Sequence, residues 1–139
     1  MDNVDFYSTI FKRKSVRKYK NEPLDSPKLQ SVRDYLGRLT PLYDSIETEI
    51  VILTQNEIKT ILPIKAPHYV VIYSEKKDGY LPNAGFMLQQ MDLFLSANGI
   101  GTCWLGMGSP HLAAASWDDL QYVINAAFGN ANKPLYRVI

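Results

Sequence analysis

The sequence predicts one mixed α+β domain spanning its 139 residues, with helices packed around a sheet. Two observations carry this. Runs rich in β-branched and aromatic residues recur at 47–53, 68–73 and 120–129. Between and before them the apolar residues return at helical spacing, most clearly over 83–98. The resulting order is α-α-β-α-β-α-β-β.

Each element has its own reason. Over 4–12, Phe6 and Ile10, with either Tyr7 or Phe11, share one face of a helix. Asn21 to Leu24 break the chain. Asp25 or Ser26 then caps a second helix, with Pro27 in its first turn and Leu29, Val32, Leu36 and Leu39 as its stripe. Thr40-Pro41 ends it. Residues 47–53 read as a strand and 55–62 as a short helix. The run 68–73 has no polar alternation, which predicts a strand covered on both faces. In the helix over 83–98, Ala84, Met87, Leu88, Met91, Phe94 and Leu95 form an apolar face that Phe86, Leu93 and Ala97 widen. So wide a face suits a core helix or a subunit interface. Gly99 ends it. Residues 101–106 form a short strand running into a glycine-rich loop, 120–129 a further strand, and 130–134 a turn.

Composition narrows the function. No apolar run approaches the ~20 residues that span a bilayer. The opening Met1 to Asp5 lacks the basic-then-apolar order of a secretion signal, and one cysteine, Cys103, excludes an internal disulfide framework. Both fit a cytoplasmic protein. The formal charge is only +1, which gives no general pull toward nucleic acid or anionic lipid. His68, His111 and Cys103 do not make a recognisable metal set. His68, opening an apolar strand, reads as structural, and Cys103 as a small buried apolar residue. Asp118-Asp119 read as a cap or surface pair. Gln89 and Gln90 either cross a subunit seam or face water. No Ser-His-Asp set or carboxylate pair stands at telling spacing, so any enzyme chemistry falls to a cofactor.

Two motifs remain. Lys12, Arg13, Lys14, Arg17, Lys18 and Lys20 put six cations into nine residues; without them nine cations face 14 acids, a net of −5. Such a run is either solvated surface favoured at a helix C-terminus or an anion site. Ser15 between Arg13 and Arg17 suits the second reading, since a hydroxyl and two guanidinium forks can surround a phosphate. The second motif is Gly99-Ile100-Gly101-Thr102-Cys103-Trp104-Leu105-Gly106-Met107-Gly108. Its glycines either serve turns or let the backbone approach a flat ligand. It is not a dinucleotide fingerprint, because a helix precedes the glycines.

Together, in this order around an apolar helix, the two motifs and the late Ala-Phe-Gly-Asn strand resemble the nitroreductase family of FMN-binding flavoproteins, particularly its shorter branch. The resemblance covers nearly the whole chain. It implies a nitroreductase-like α+β fold, a mixed sheet flanked by helices, in an intertwined homodimer with flavin at the interface. By similarity Arg13 and Ser15 would take the FMN phosphate, Arg17 the pyrimidine edge near N1 and O2, and Lys14 the ribityl chain or ring edge. Trp104, Leu105, Gly106 and Met107 would lie along the ring near N5. Thr40, Pro41 and Leu42 would reach the partner subunit's flavin. The activity implied is hydride transfer from NAD(P)H through flavin N5 to a small-molecule acceptor such as a nitroaromatic or quinone. The alternatives are an FMN-binding or sensing protein of the same fold without turnover, and an anion or nucleic-acid module built on the basic run alone. The chain departs from the family pattern at Tyr43 to Glu47, where an Asn and a Gln-Pro-Trp are usual. It also ends before the family's C-terminal segment, whose basic phosphate ligand has Lys133 and Arg137 as candidate replacements.

Overall fold

The computed structural model describes residues 5–60, 64–105, 108–110, 119–132 and 134. Helix α1 (Phe6–Lys12) starts where Asp5 accepts a hydrogen bond from the Ser8 N–H at 3.0 Å. Helix α2 (Ser26–Leu36) starts the same way, with Asp25 accepting from the Lys28 N–H at 2.9 Å and Pro27 in the first turn. Strand β1 (Thr48–Thr54) follows. The helix expected over 55–62 is absent where the chain is described. A single 3₁₀ turn, Gln55–Glu57, held by the Glu57 carboxylate on the Thr54 N–H, leads instead into β2 (Ile58–Thr60). That strand pairs antiparallel with β5 (Gly108–Pro110), a stretch expected to be loop.

Strands β3 (His68–Ser74), β4 (Gly101–Leu105) and β6 (Gln121–Gly129) complete the main sheet, in the order β1-β3-β6-β4 with every pair antiparallel. All seven residues of β3 are buried, as the unbroken apolar run predicts. Val70 and Ile72 face α2 and helix α3 (Tyr80–Ala97), packing with Val32, Leu88, Met91 and Leu95. Tyr69, Val71 and Tyr73 face the other way, onto Val16, Tyr19, Cys103 and Ala127. Cys103 is thus core, as its apolar character suggests. So is His68, whose Nε2 accepts from the Leu24 N–H at 3.0 Å while its ring stacks on Phe128. Burial lowers the His68 pKa from 6.5, with the Arg33 charge acting the same way.

Helix α3 starts three residues earlier than its spacing suggests, at Tyr80, just after Gly79, whose φ of +87° is left-handed. It stops before Gly99, also left-handed at +77°. One expectation for α1 fails: Ile10 lies outside. The helix buries Thr9 and turns Phe6 edge-on toward Tyr35, while Tyr7, Ile10 and Phe11 are exposed. α1 rests against α3, and among the described residues its other apolar side, with Tyr7, Ile10 and Phe11, has no cover. Among the described residues no helix is long and apolar enough to cross a membrane.

Candidate functional site

The basic segment leaves α1 in extended conformation and runs along β4. Arg13 closes the helix through its N–H on the Thr9 carbonyl (2.9 Å) and then extends at ψ 149°. The Val16 N–H donates to the Thr102 carbonyl at 2.9 Å, and Lys20 and Lys18 bond the backbone of Asn130 and Asn132. Val16 and Tyr19 are buried and anchor the segment in the core. Close approach depends on Gly101, where an added Cβ would stand 3.0 Å from two atoms of the Val16 side chain. The cations between the anchors are therefore held on a fixed backbone. Arg17, Lys18 and Lys20 are exposed; Arg13, Lys14 and Ser15 are half-buried.

Two recesses open on either side of this segment, and Ser15 lines both. One, of about 270 Å³, lies between Arg13, Ser15, Gln89, Asp92 and Trp104. The other, of about 230 Å³, is lined by Lys14, Ser15, Val16, Arg17, Lys18 and Pro134. The two sequence motifs thus meet in space: Arg13 and Ser15 from one, Trp104 from the other. Leu105 does not share the recess with its side chain, which is buried on the opposite face of the sheet with Cys103. Gly106, Met107, His111, Asp118, Lys133 and Arg137 lie outside the described residues.

At the floor of the larger recess is a residue the sequence analysis did not single out. Asp92, on α3, is 2% exposed. Its Oδ1 stands 3.3 Å from Arg13 Nε and 3.3 Å from the Ser96 hydroxyl, and the Trp104 side chain, lining the same recess, favours its charged form. Burial raises its pKa, and the Arg13 charge opposes that shift. The Arg13 contact is ionic rather than a well-aligned hydrogen bond, because the buried Nε has no acceptor in line with its N–H. A signal for Asp92 was present in the sequence: it is the only charged residue between Tyr80 and Ala97. A lone charge in an apolar helix must find a partner if that helix is core.

Pro41 and Leu42 stand elsewhere. The Asn83 Oδ1, fully buried, accepts from the Leu42 and Tyr43 N–H groups at 2.8 and 2.9 Å. Gln90 clamps Thr40 from both sides, accepting from its N–H at 3.0 Å and donating to its carbonyl at 2.7 Å. So Gln90 neither merely faces water nor is idle. Asn83 and Asp92 are nine residues apart on one helix, about two and a half turns, so they point to opposite sides. Within one chain the segment carrying Pro41 and Leu42 is therefore not part of the Arg13–Trp104 recess.

The donor set fits a phosphorylated flat cofactor in part. Fork-shaped and hydroxyl donors gather at Arg13, Ser15 and Arg17, beside an indole and a close backbone. Each recess is smaller than the roughly 300–1,000 Å³ usual for a cofactor pocket, so the described residues supply part of the enclosure.

Comparison with known proteins bears on the fold and the family. No curated protein matches the sequence significantly. The fold is similar to that of a nitroreductase family protein from Clostridium novyi NT, with a TM-score of 0.71 at 20% identity over 92% of this chain and 86% of that one. A nitroreductase family protein from Clostridium difficile 630 gives 0.73 at 16%, over 94% and 87%. A nitroreductase with bound FMN from Desulfitobacterium hafniense DCB-2 gives 0.71 at 14%, over 100% and 95%. A family model described as "Putative TM nitroreductase" matches residues 5–138, nearly the whole sequence, and by that match the chain belongs to the nitroreductase family.

Proposed function

We propose that this chain is an FMN-dependent, NAD(P)H-linked oxidoreductase that works as a homodimer on small acceptors such as nitroaromatics or quinones. The observation that carries the reading is the shared recess of Arg13, Ser15 and Trp104, which joins a phosphate-type donor set to an aromatic wall. Arg13 and Ser15 hold the phosphate. The Nε of Arg13 faces Asp92, which leaves the terminal nitrogens of the fork for the anion. Arg17, exposed on the same segment, sets positive charge beside the pyrimidine edge, and Lys14 reaches the ribityl chain. Trp104, Leu105, Gly106 and Met107 line the ring, Leu105 through its backbone. When bound, FMN would supply the two-electron redox chemistry. The protein orients the cofactor, excludes water and stabilises charge, which explains why no acid–base pair is needed.

The homodimer reading rests on geometry. Pro41 and Leu42 face away from this chain's own recess, so they complete a flavin site only if it belongs to a second subunit. The test is direct. Protein reconstituted with FMN is expected to retain it with micromolar or tighter affinity, show flavin absorption, and oxidise NADH or NADPH with a nitroaromatic or quinone acceptor. Failure to bind FMN at micromolar concentration overturns the reading. Binding without turnover on any such acceptor replaces it with a flavin-binding or sensing role.

A further inference from the structure

We infer that Asp92 is a positioning residue of the proposed flavin site, fixing Arg13 and Trp104 relative to one another; the inference rests on the FMN reading above. Three elements meet at this carboxylate. Arg13 comes from the end of α1, Trp104 from β4, and Asp92 with Ser96 from α3. Arg13 and Trp104 are 91 residues apart in the chain and belong to the two different motifs. One carboxylate, 2% exposed, lies in the recess between them and pairs with Arg13 at 3.3 Å.

Burying a carboxylate has a cost, and an apolar residue at position 92 would continue the face formed by Leu88 and Leu95. A buried acid there is explained by what it orients. Arg13 is a long side chain with several rotatable bonds, 20% exposed, and would otherwise sample many positions over the recess. The ion pair at Nε restrains where the guanidinium can sit and narrows the positions open to its terminal nitrogens. Trp104 lines the recess beside the same carboxylate and favours its charged form, so the aromatic wall is referred to the same group. Ser96, one turn further along α3, braces Oδ1 and limits rotation of the carboxylate. The phosphate end and the ring end of the site are thereby set to one spacing.

A purely electrostatic role predicts the opposite sign. If Asp92 only cancelled part of the Arg13 charge, removing its charge would tighten an anionic ligand. The positioning role predicts weakening, transmitted through Arg13. The experiment is a double-mutant cycle on the full chain, with the FMN dissociation constant read from quenching of flavin fluorescence. Asp92→Asn keeps the side-chain shape and is expected to weaken FMN about tenfold. In an Arg13→Ala background the same substitution is expected to change affinity by less than about threefold. A second readout needs no flavin. The chain has two tryptophans, so in a Trp117→Phe background the apo-protein reports Trp104 alone. Asp92→Asn is expected to shift that emission. Tighter FMN, an affinity within threefold of wild type, equal weakening in both backgrounds, or unchanged Trp104 emission each overturn the inference. Of these, none disturbs the FMN reading; a wild-type chain that fails to bind FMN overturns both.

Discussion

Gly101 shows how a single hydrogen atom positions the site. The basic segment lies on β4 so closely that a methyl group at this position would meet Val16 Cβ and Cγ1 at 3.0 Å and Cγ2 at 3.1 Å. A valine has no flexible end to swing aside, and the Val16 N–H is tied to Thr102. Gly101→Ala must therefore push the segment outward or strain it, at about 1–3 kcal/mol. Lower stability by urea denaturation and weaker FMN binding are expected together; unchanged flavin affinity would detach the segment from the cofactor. His68 offers a second residue-scale test. Its neutral Nε2 accepts from the buried Leu24 N–H, and its folded pKa is lowered from 6.5 chiefly by burial. The unfolded chain then binds the proton more readily, so stability is full above about pH 6.5 and falls as the pH drops below it toward the folded value. The thermal midpoint should decline between pH 7.5 and 5.5, and His68→Gln, which keeps an acceptor but cannot titrate there, should flatten that part of the decline. A slope equal to wild type would assign the pH response to other groups.

At the scale of elements, α3 organises the molecule, with its two sides doing different work. One side carries Asp92 under the proposed flavin recess; the other carries Asn83 and Gln90, which hold the segment after α2. Asn83→Ala removes the acceptor of two backbone N–H groups at once and should cost about 1–3 kcal/mol, since the pair is only partly buried. Gln90→Ala should cost less, because its bonds to Thr40 are exposed and water can replace them. Equilibrium denaturation of the two variants checks the order, and a larger loss for Gln90 would contradict it. What the sequence revealed of these elements follows from range. Caps and periodicity are local, so a cap at Asp25 or Ser26 with Pro27 behind it, the buried run of β3 and the helix ending at Gly99 could all be read from the sequence, the structure choosing Asp25. The β2–β5 pair could not. Each strand is three residues long, and Ile58 and Pro110 become a pair only once the chain is folded. The start of α3 at Tyr80 was hidden for another reason: Gly79 enters it through a left-handed turn without a side-chain cap. In the candidate recess, Arg13, Ser15 and Trp104 could be singled out because their motifs are local, whereas Asp92 required reading one charge against the apolar helix around it.

At the scale of the whole molecule, the apolar surface left uncovered argues for a second copy. Tyr7 is 74% exposed, and Ile10, Phe11, Leu81 and Phe86 are also exposed, on α1 and on α3 against which it packs. Tyr7 and Phe11 meet edge to face with ring centres 5.2 Å apart, so they present one aromatic surface rather than scattered residues. Amphipathic spacing told that α1 has an apolar face, but not that part of this face would point away from its own core. Large contiguous apolar patches on soluble proteins mark interaction sites. The proposed flavin site gives that surface an occupant, because each recess is small and Leu42, itself exposed, faces away from it. A second subunit would cover the aromatic surface and bring its own Leu42 segment to the flavin. Phe86→Glu places a charge on the exposed apolar part of α3, at a position 43% exposed in the single chain, so it leaves folding of one subunit nearly unaffected while opposing association through that helix. Light scattering should find the wild-type protein at twice the chain mass and the variant at once the chain mass or in concentration-dependent exchange. The variant should also bind FMN at least tenfold more weakly, although position 86 lines neither recess. A monomeric variant that keeps wild-type flavin affinity would show that one chain encloses the cofactor by itself, and the role of Pro41 and Leu42 across the interface would fall with it.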